Sequence, residues 1–143
     1  MSLRYAPVVA FLILATIGCA KNDQPATAVL ASDPSAARFL GDWSSEGEHM
    51  YAITGDAETE VTLRLILRDG VSARIDDAHF ADGRLCFRAW FFVDGNYAIP
   101  SDEPMEIVLT AVDDSTLTQE TRLLLSNGEF HRDSAELKRI IAR

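Results

Sequence analysis

Three histidines (His49, His79, His131) and two cysteines (Cys19, Cys86) are the side chains best suited to metal ligation or nucleophilic attack in this chain of 143 residues. Zinc ligands usually come in short repeats such as Cys-x-x-Cys or His-x-x-x-His, because neighbouring side chains must meet on one ion. None of these spacings is present. The histidines sit on separate segments and are expected at strand ends or on the surface. Serines are plentiful, but none stands in Gly-x-Ser-x-Gly or Ser-x-x-Lys, settings that activate a hydroxyl. Carboxylates come in pairs, at Glu46 and Glu48, Asp76 and Asp77, Asp102 and Glu103, and Asp113 and Asp114. Most of these fall where turns are expected, and there Asp holds its own backbone. There is no Gly-rich phosphate loop. The chain reads as non-catalytic, with no cofactor and no metal.

Recognition chemistry is easier to place. In Arg84–Val93, the residues Leu85, Phe87, Ala89, Phe91 and Val93 alternate with Arg84, Cys86, Arg88, Trp90 and Phe92. A period of two is that of a strand with one face in a core. The second set then points outward, and Trp, Phe and Arg are types that interfaces favour. Tyr97 and Ile99 lie on the irregular stretch Asp94–Pro104 beside them. Arg84, Arg88, Trp90, Phe92, Tyr97 and Ile99 are therefore the candidate partner-binding residues. The competing expectation is that a helix at Phe39–Leu40, or the loop after Asp94, covers the aromatics. Cys86, a lone thiol, is expected to be buried.

Charge narrows the partners. The chain carries 13 Lys and Arg against 22 Asp and Glu, a formal charge of −9. Removal of residues 1–18 takes away only Arg4 and makes the balance more negative. Such a surface repels phosphate backbones, which argues against nucleic acid and favours a basic partner.

The first residues have their own pattern. Arg4 supplies a positive start, and Ala6 to Ile17 is an apolar stretch too short for a membrane span, which needs roughly 20 residues. Thr16-Ile17-Gly18-Cys19 resembles the bacterial lipobox, and that resemblance implies cleavage before Cys19 and lipidation of its thiol and amine. Several acyl chains together anchor a protein stably. Ala20 and Lys21 follow where an Asp would favour inner-membrane retention, so the resemblance implies the outer membrane, with the domain facing the periplasm. Residues 1–18 are expected as a lipoprotein signal peptide, 19–33 as a flexible tether, and 34–143 as the folded domain.

Within that domain, Ser32-Asp33-Pro34 offers a cap for a short helix through Leu40, stopped by Gly41. Alternation then dominates. Val61, Leu63, Leu65 and Leu67 are followed by Asp69-Gly70, and Val71, Ala73 and Ile75 lead to Asp82-Gly83. Met105, Ile107, Leu109 and Ala111 run to Asp113-Asp114-Ser115, and Leu117, Leu123 and Leu125 precede Asn127-Gly128. Ala135 and Leu137 mark a last strand. Short strands joined by polar turns predict an antiparallel meander, closed into a small up-and-down β-barrel of about seven to eight strands because open edges are costly. Phe39-Leu40-Gly41-Asp42-Trp43 resembles the Gly-x-Trp entry of lipocalin-like (calycin-type) barrels, where Trp plugs one end. Fold-level likeness carries no function with it.

The expectation is a non-catalytic, lipid-anchored periplasmic barrel that binds another macromolecule, in a sharper form an inhibitor or immunity protein against a basic cell-wall hydrolase. The alternative is a carrier of a small apolar ligand in the barrel mouth near Trp43.

Overall fold

A computed structural model of the chain describes residues 26–56, 58–94, 96–97 and 103–141. The expected signal peptide, Cys19 and the first part of the expected tether lie outside these residues. The strands are β1 (Thr27–Ala31), β2 (Gly41–Ser45), β3 (Glu48–Gly55), β4 (Glu60–Leu65), β5 (Val71–Ala81), β6 (Arg84–Val93), β7 (Asn96–Tyr97), β8 (Met105–Asp113), β9 (Thr116–Leu124) and β10 (Phe130–Arg139). Nine of them form one sheet in the order β1-β4-β3-β2-β10-β9-β8-β6-β5, and the two-residue β7 pairs with β6. Among the described residues every strand pairing is antiparallel. The terminal strands β1 and β5 lie against each other, so the sheet curls into a nearly closed barrel. Among the described residues no helix is long and apolar enough to cross a membrane.

The barrel is the expected one, with nine strands instead of seven or eight. The extra strand comes from the segment read as tether: Thr27–Ala31 pairs along β4 from Thr27↔Arg64 to Ala31↔Glu60. Its Leu30 is buried, while Val29 is 60% exposed. Small residues hid this strand, because Leu30 is its only large side chain in the core, beside Ala26. A second correction follows from it. Asp69-Gly70 reads as a hairpin, yet β4 and β5 do not pair, because β1 sits between them.

Alternation fills the interior as predicted. Val61, Leu63, Leu65, Leu85, Phe87, Ala89, Ile107, Leu109, Leu117 and Leu137 are all buried. Burial of each large side chain stabilises by about 1.5–3 kcal/mol. Tight hairpins need two residues with positive φ. Asp82 and Gly83 supply them at 53° and 75°, as do Glu46 and Gly47 at 52° and 84°.

One end of the barrel is plugged. The predicted helix is a single 3-10 turn, Ala36–Arg38. Its entry is held by Asp33, whose carboxylate accepts the Ser35 hydroxyl and, at 2.9 Å, the Ser35 N–H. These bonds hold the Asp33 carboxyl below its ordinary value. The turn drops Phe39 into the end, 5.7 Å from the Phe80 ring, and the Trp43 indole N–H donates to the Phe39 carbonyl at 2.8 Å. From the last strand, the Arg139 guanidinium lies 4.4 Å over the Trp43 ring. It donates to the Leu40 carbonyl and, through Nε at 2.8 Å, to the Asp114 carbonyl. A Cβ at Gly41, where φ is 135°, would collide with that guanidinium. Trp43 is fully buried at this end, as the Gly-x-Trp resemblance implies for a plugging Trp. The other end is the rim, where the connections after β2, β4, β6 and β9 lie.

Two measurements check this account. Leu30→Asp should lower the urea midpoint far more than Val29→Asp, since one buries a charge and the other leaves it in water. Gly41→Ala should destabilise by about 1–3 kcal/mol, by displacing the guanidinium from its carbonyl partners.

Candidate functional site

The outward side of β6 meets matching residues on its neighbours, because directly opposed residues in a ladder share a face. Asp76 of β5 faces Arg88, Arg88 faces Glu106 of β8, Glu106 faces Arg122 of β9, and Arg122 faces Arg132 of β10. Arg88 binds Asp76 at 2.6 Å, and Arg122 binds Glu106 at 3.0 Å. These pairs stay in contact with water, and each contributes about 0–1 kcal/mol. They lay a belt of alternating charge across the wall. The Nε of Arg88 is buried and has no hydrogen-bond partner among the described residues.

Aromatic side chains bracket the belt on the rim side. Trp90 lies under the Arg74 guanidinium at 4.2 Å, and Phe130 lies under that of Arg122 at 4.2 Å. Between them runs a groove of ≈ 340 Å³, with Arg88, Glu106, Arg122 and Leu124 along it and Glu103 and Pro104 at its lip. Phe130 is 47% exposed. Cations held over ring faces keep both rings in place, at about 0.5–1 kcal/mol each.

The six predicted partner residues divide. Arg88 and Trp90 line the groove. Arg84 is outward and exposed, but it sits beside the Asp82-Gly83 turn toward the plugged end, opposite Ala81 and Thr110. Phe92 is half-buried, and the backbone of Tyr97 pairs beside it, so the start of the loop after Asp94 meets that side of the strand. The Tyr97 side chain and all of Ile99 lie outside the described residues. The 3-10 turn, at the opposite end, covers none of the aromatics. Phe130 and Leu124 were missed. They are opposed partners just before and after the Asn127-Gly128 turn, and that apolar flank was the available signal.

The residues weighed for catalysis do other things. His49 contacts the Tyr51 carbonyl at 3.2 Å and the Asp42 carboxylate at 3.3 Å, and His79 contacts the Asp77 carbonyl at 2.8 Å. His131 is exposed on β10. Among the described residues, no three His, Cys, Asp or Glu side chains are grouped to hold a metal. Asp113 accepts the Ser115 N–H at 2.8 Å, which holds its carboxyl below the ordinary value and fixes the β8–β9 turn. Inside the barrel the Tyr51 hydroxyl donates to Gln119 across the lumen, and burial pushes its ionisation up. Cys86 stands on the outer face, as the alternation predicts, opposite His79 and Val108, but it is half-buried where full burial was expected.

Comparison with protein-family models, curated proteins and solved structures gave no match for this chain.

Burial raises the Cys86 thiol above its ordinary range. A raised pKa leaves less thiolate at any pH near neutrality, and thiolate is the reactive form. An aromatic disulfide reagent at pH 8 should therefore modify Cys86 more slowly than an unstructured cysteine peptide. A rate equal to the peptide's would contradict the burial described.

Proposed function

We propose that the chain is a lipid-anchored, non-catalytic barrel of calycin type that binds another protein through its outer wall, at the periplasmic side of the outer membrane. The observation that carries this reading is the groove between Trp90 and Phe130. It joins two aromatic rings, two arginines and an apolar floor residue, the side-chain types that dominate binding energy at protein interfaces. The buried, unpartnered Nε of Arg88 adds a donor that a bound acceptor would satisfy. The plugged end, with Trp43 under Arg139, supports the calycin likeness and leaves the wall and rim as the contact regions. The formal charge of −9 suits a basic partner, such as a cell-wall hydrolase held inactive by this protein. The Thr16-Ile17-Gly18-Cys19 sequence supports the anchor.

Three variants test the parts separately. Cys19→Ala should move the protein from the membrane to the soluble fraction of the envelope; retention at the membrane would refute lipid anchoring. Trp90→Ala combined with Phe130→Ala should lose the partner that the parent protein retains from periplasmic extract, at a cost of roughly 2 kcal/mol or more. Arg84→Ala, away from the groove, should keep it. Unchanged retention by the double variant would remove the groove from the interface.

A further inference from the structure

The barrel wall is incomplete beside β10. The ladder between β10 and β2 has only two pairs, Lys138↔Ser44 and Arg139↔Trp43, because β2 stops at Ser45 and turns on Glu46 and Gly47. From Phe130 to Leu137, β10 pairs with β9 on one side, and among the described residues no strand pairs with it on the other. The edge can be assigned residue by residue. The Arg139 N–H donates to Ser115 at the start of the β9 side, and Glu129 closes the same hairpin by accepting from Leu125. Alternate residues of an antiparallel ladder direct their backbone groups to the same neighbour. Odd-numbered residues therefore face β9, and Arg132, Ser134 and Glu136 face the gap. The Ser134 N–H agrees: it is taken at 2.9 Å by the carboxylate of the adjacent Asp133.

A cleft of ≈ 620 Å³ opens where β2 would have continued, lined by Ser45, Glu46, Gly47, Glu48, Met50, Gln119 and Ala135. Its only charged lining residues are the two glutamates. Glu48 is engaged by Arg68 at 3.2 Å, and among the described residues Glu46 has no ion-pair partner. A row of free backbone donors and acceptors is matched by one kind of ligand, another extended backbone. An acidic cleft with Met50 and Ala135 in its walls suits an aliphatic stem ending in a cation.

We propose that the β10 edge accepts an extended, basic polypeptide segment of a partner protein, which adds as a strand in the position β2 vacates and lays a Lys or Arg side chain in the Glu46 cleft. The proposal deepens the protein-binding reading and uses residues distinct from the groove. Asp133 guards the edge, because an incoming strand must displace its carboxylate from the Ser134 N–H. Charged residues along a free edge deter unselective pairing, and here they set the sign of the segment that is admitted.

The test is fluorescence anisotropy of labelled heptapeptides with the full-length chain in detergent. The peptide Lys-Val-Lys-Val-Lys-Val-Lys should bind at least about tenfold more tightly than its Glu counterpart, a difference of about 1.4 kcal/mol. N-methylation of alternate amides in the Lys peptide should abolish binding in one of the two registers, with the protein unchanged. Ser134→Pro should weaken binding about tenfold or more, and Glu46→Lys should also weaken it. Amide exchange at Arg132, Ser134 and Glu136 should slow when peptide is bound. Equal binding of Lys and Glu peptides, indifference to N-methylation in both registers, or no binding would overturn the proposal. So would a concentration-dependent dimer abolished by Ser134→Pro, since the edge would then serve a second copy. Trp90→Ala with Phe130→Ala should leave peptide affinity intact, which separates this proposal from the groove: loss of one leaves the other standing.

Discussion

The Arg139 guanidinium over Trp43 ties together parts of the chain that are furthest apart in sequence. It joins the last strand to the second, the carbonyl of Leu40 after the 3-10 turn, and the carbonyl of Asp114 in the β8–β9 turn. A barrel built from a meander must bring its first and last long strands into register, and here only two residue pairs do so. A planar cation with five donors can meet several carbonyls while its face covers an indole, which an ammonium cannot. The absence of a side chain at Gly41 makes room for it. Closure thus rests on a small set of directional contacts, and the apolar interior supplies the bulk of the stability.

The two ends of the molecule are built to different standards. At the plugged end short turns join β5 to β6 and β8 to β9, and Phe39 and Trp43 are fully buried. Toward the rim, β2 stops early, β10 runs on exposed from Phe130 to Ser134, and the aromatic groove opens on the wall. Binding surfaces are commonly carried on irregular parts held by a rigid scaffold. The division here follows that logic, with the groove and the free edge sharing one hairpin, β9–β10.

Much of the fold was legible because a period of two is a strong signal wherever one face is buried. Leu63, Phe87 and Leu109 were assigned to the core from alternation alone, and they are there. Strand β1 was not legible, since Thr27-Ala28-Val29-Leu30-Ala31 places a single large side chain in the core, and its partner, β4, lies 29 to 37 residues away, from Ala31↔Glu60 to Thr27↔Arg64. Pairing at that distance leaves no local trace. For the same reason Asp69-Gly70 looked like a hairpin: turn chemistry reports a reversal of the chain, not which strand fills the neighbouring position. At the groove, Arg88 and Trp90 could be read from their own strand. Phe130 could not, because it is brought beside them by the register of β9 and β10, a property of two strands and not of one.

The direction of β1 fixes where the rest of the chain is attached. Thr27 lies by Arg64, at the rim end of β4, and Ala31 by Glu60, at the plugged end. The described chain therefore begins at the rim. Under the proposed anchoring at Cys19, a leash from there to Ala26 reaches at most about 25 Å when fully drawn out. It would keep the groove and the bare β10 edge close to the point of attachment, with the Trp43 end as the far pole.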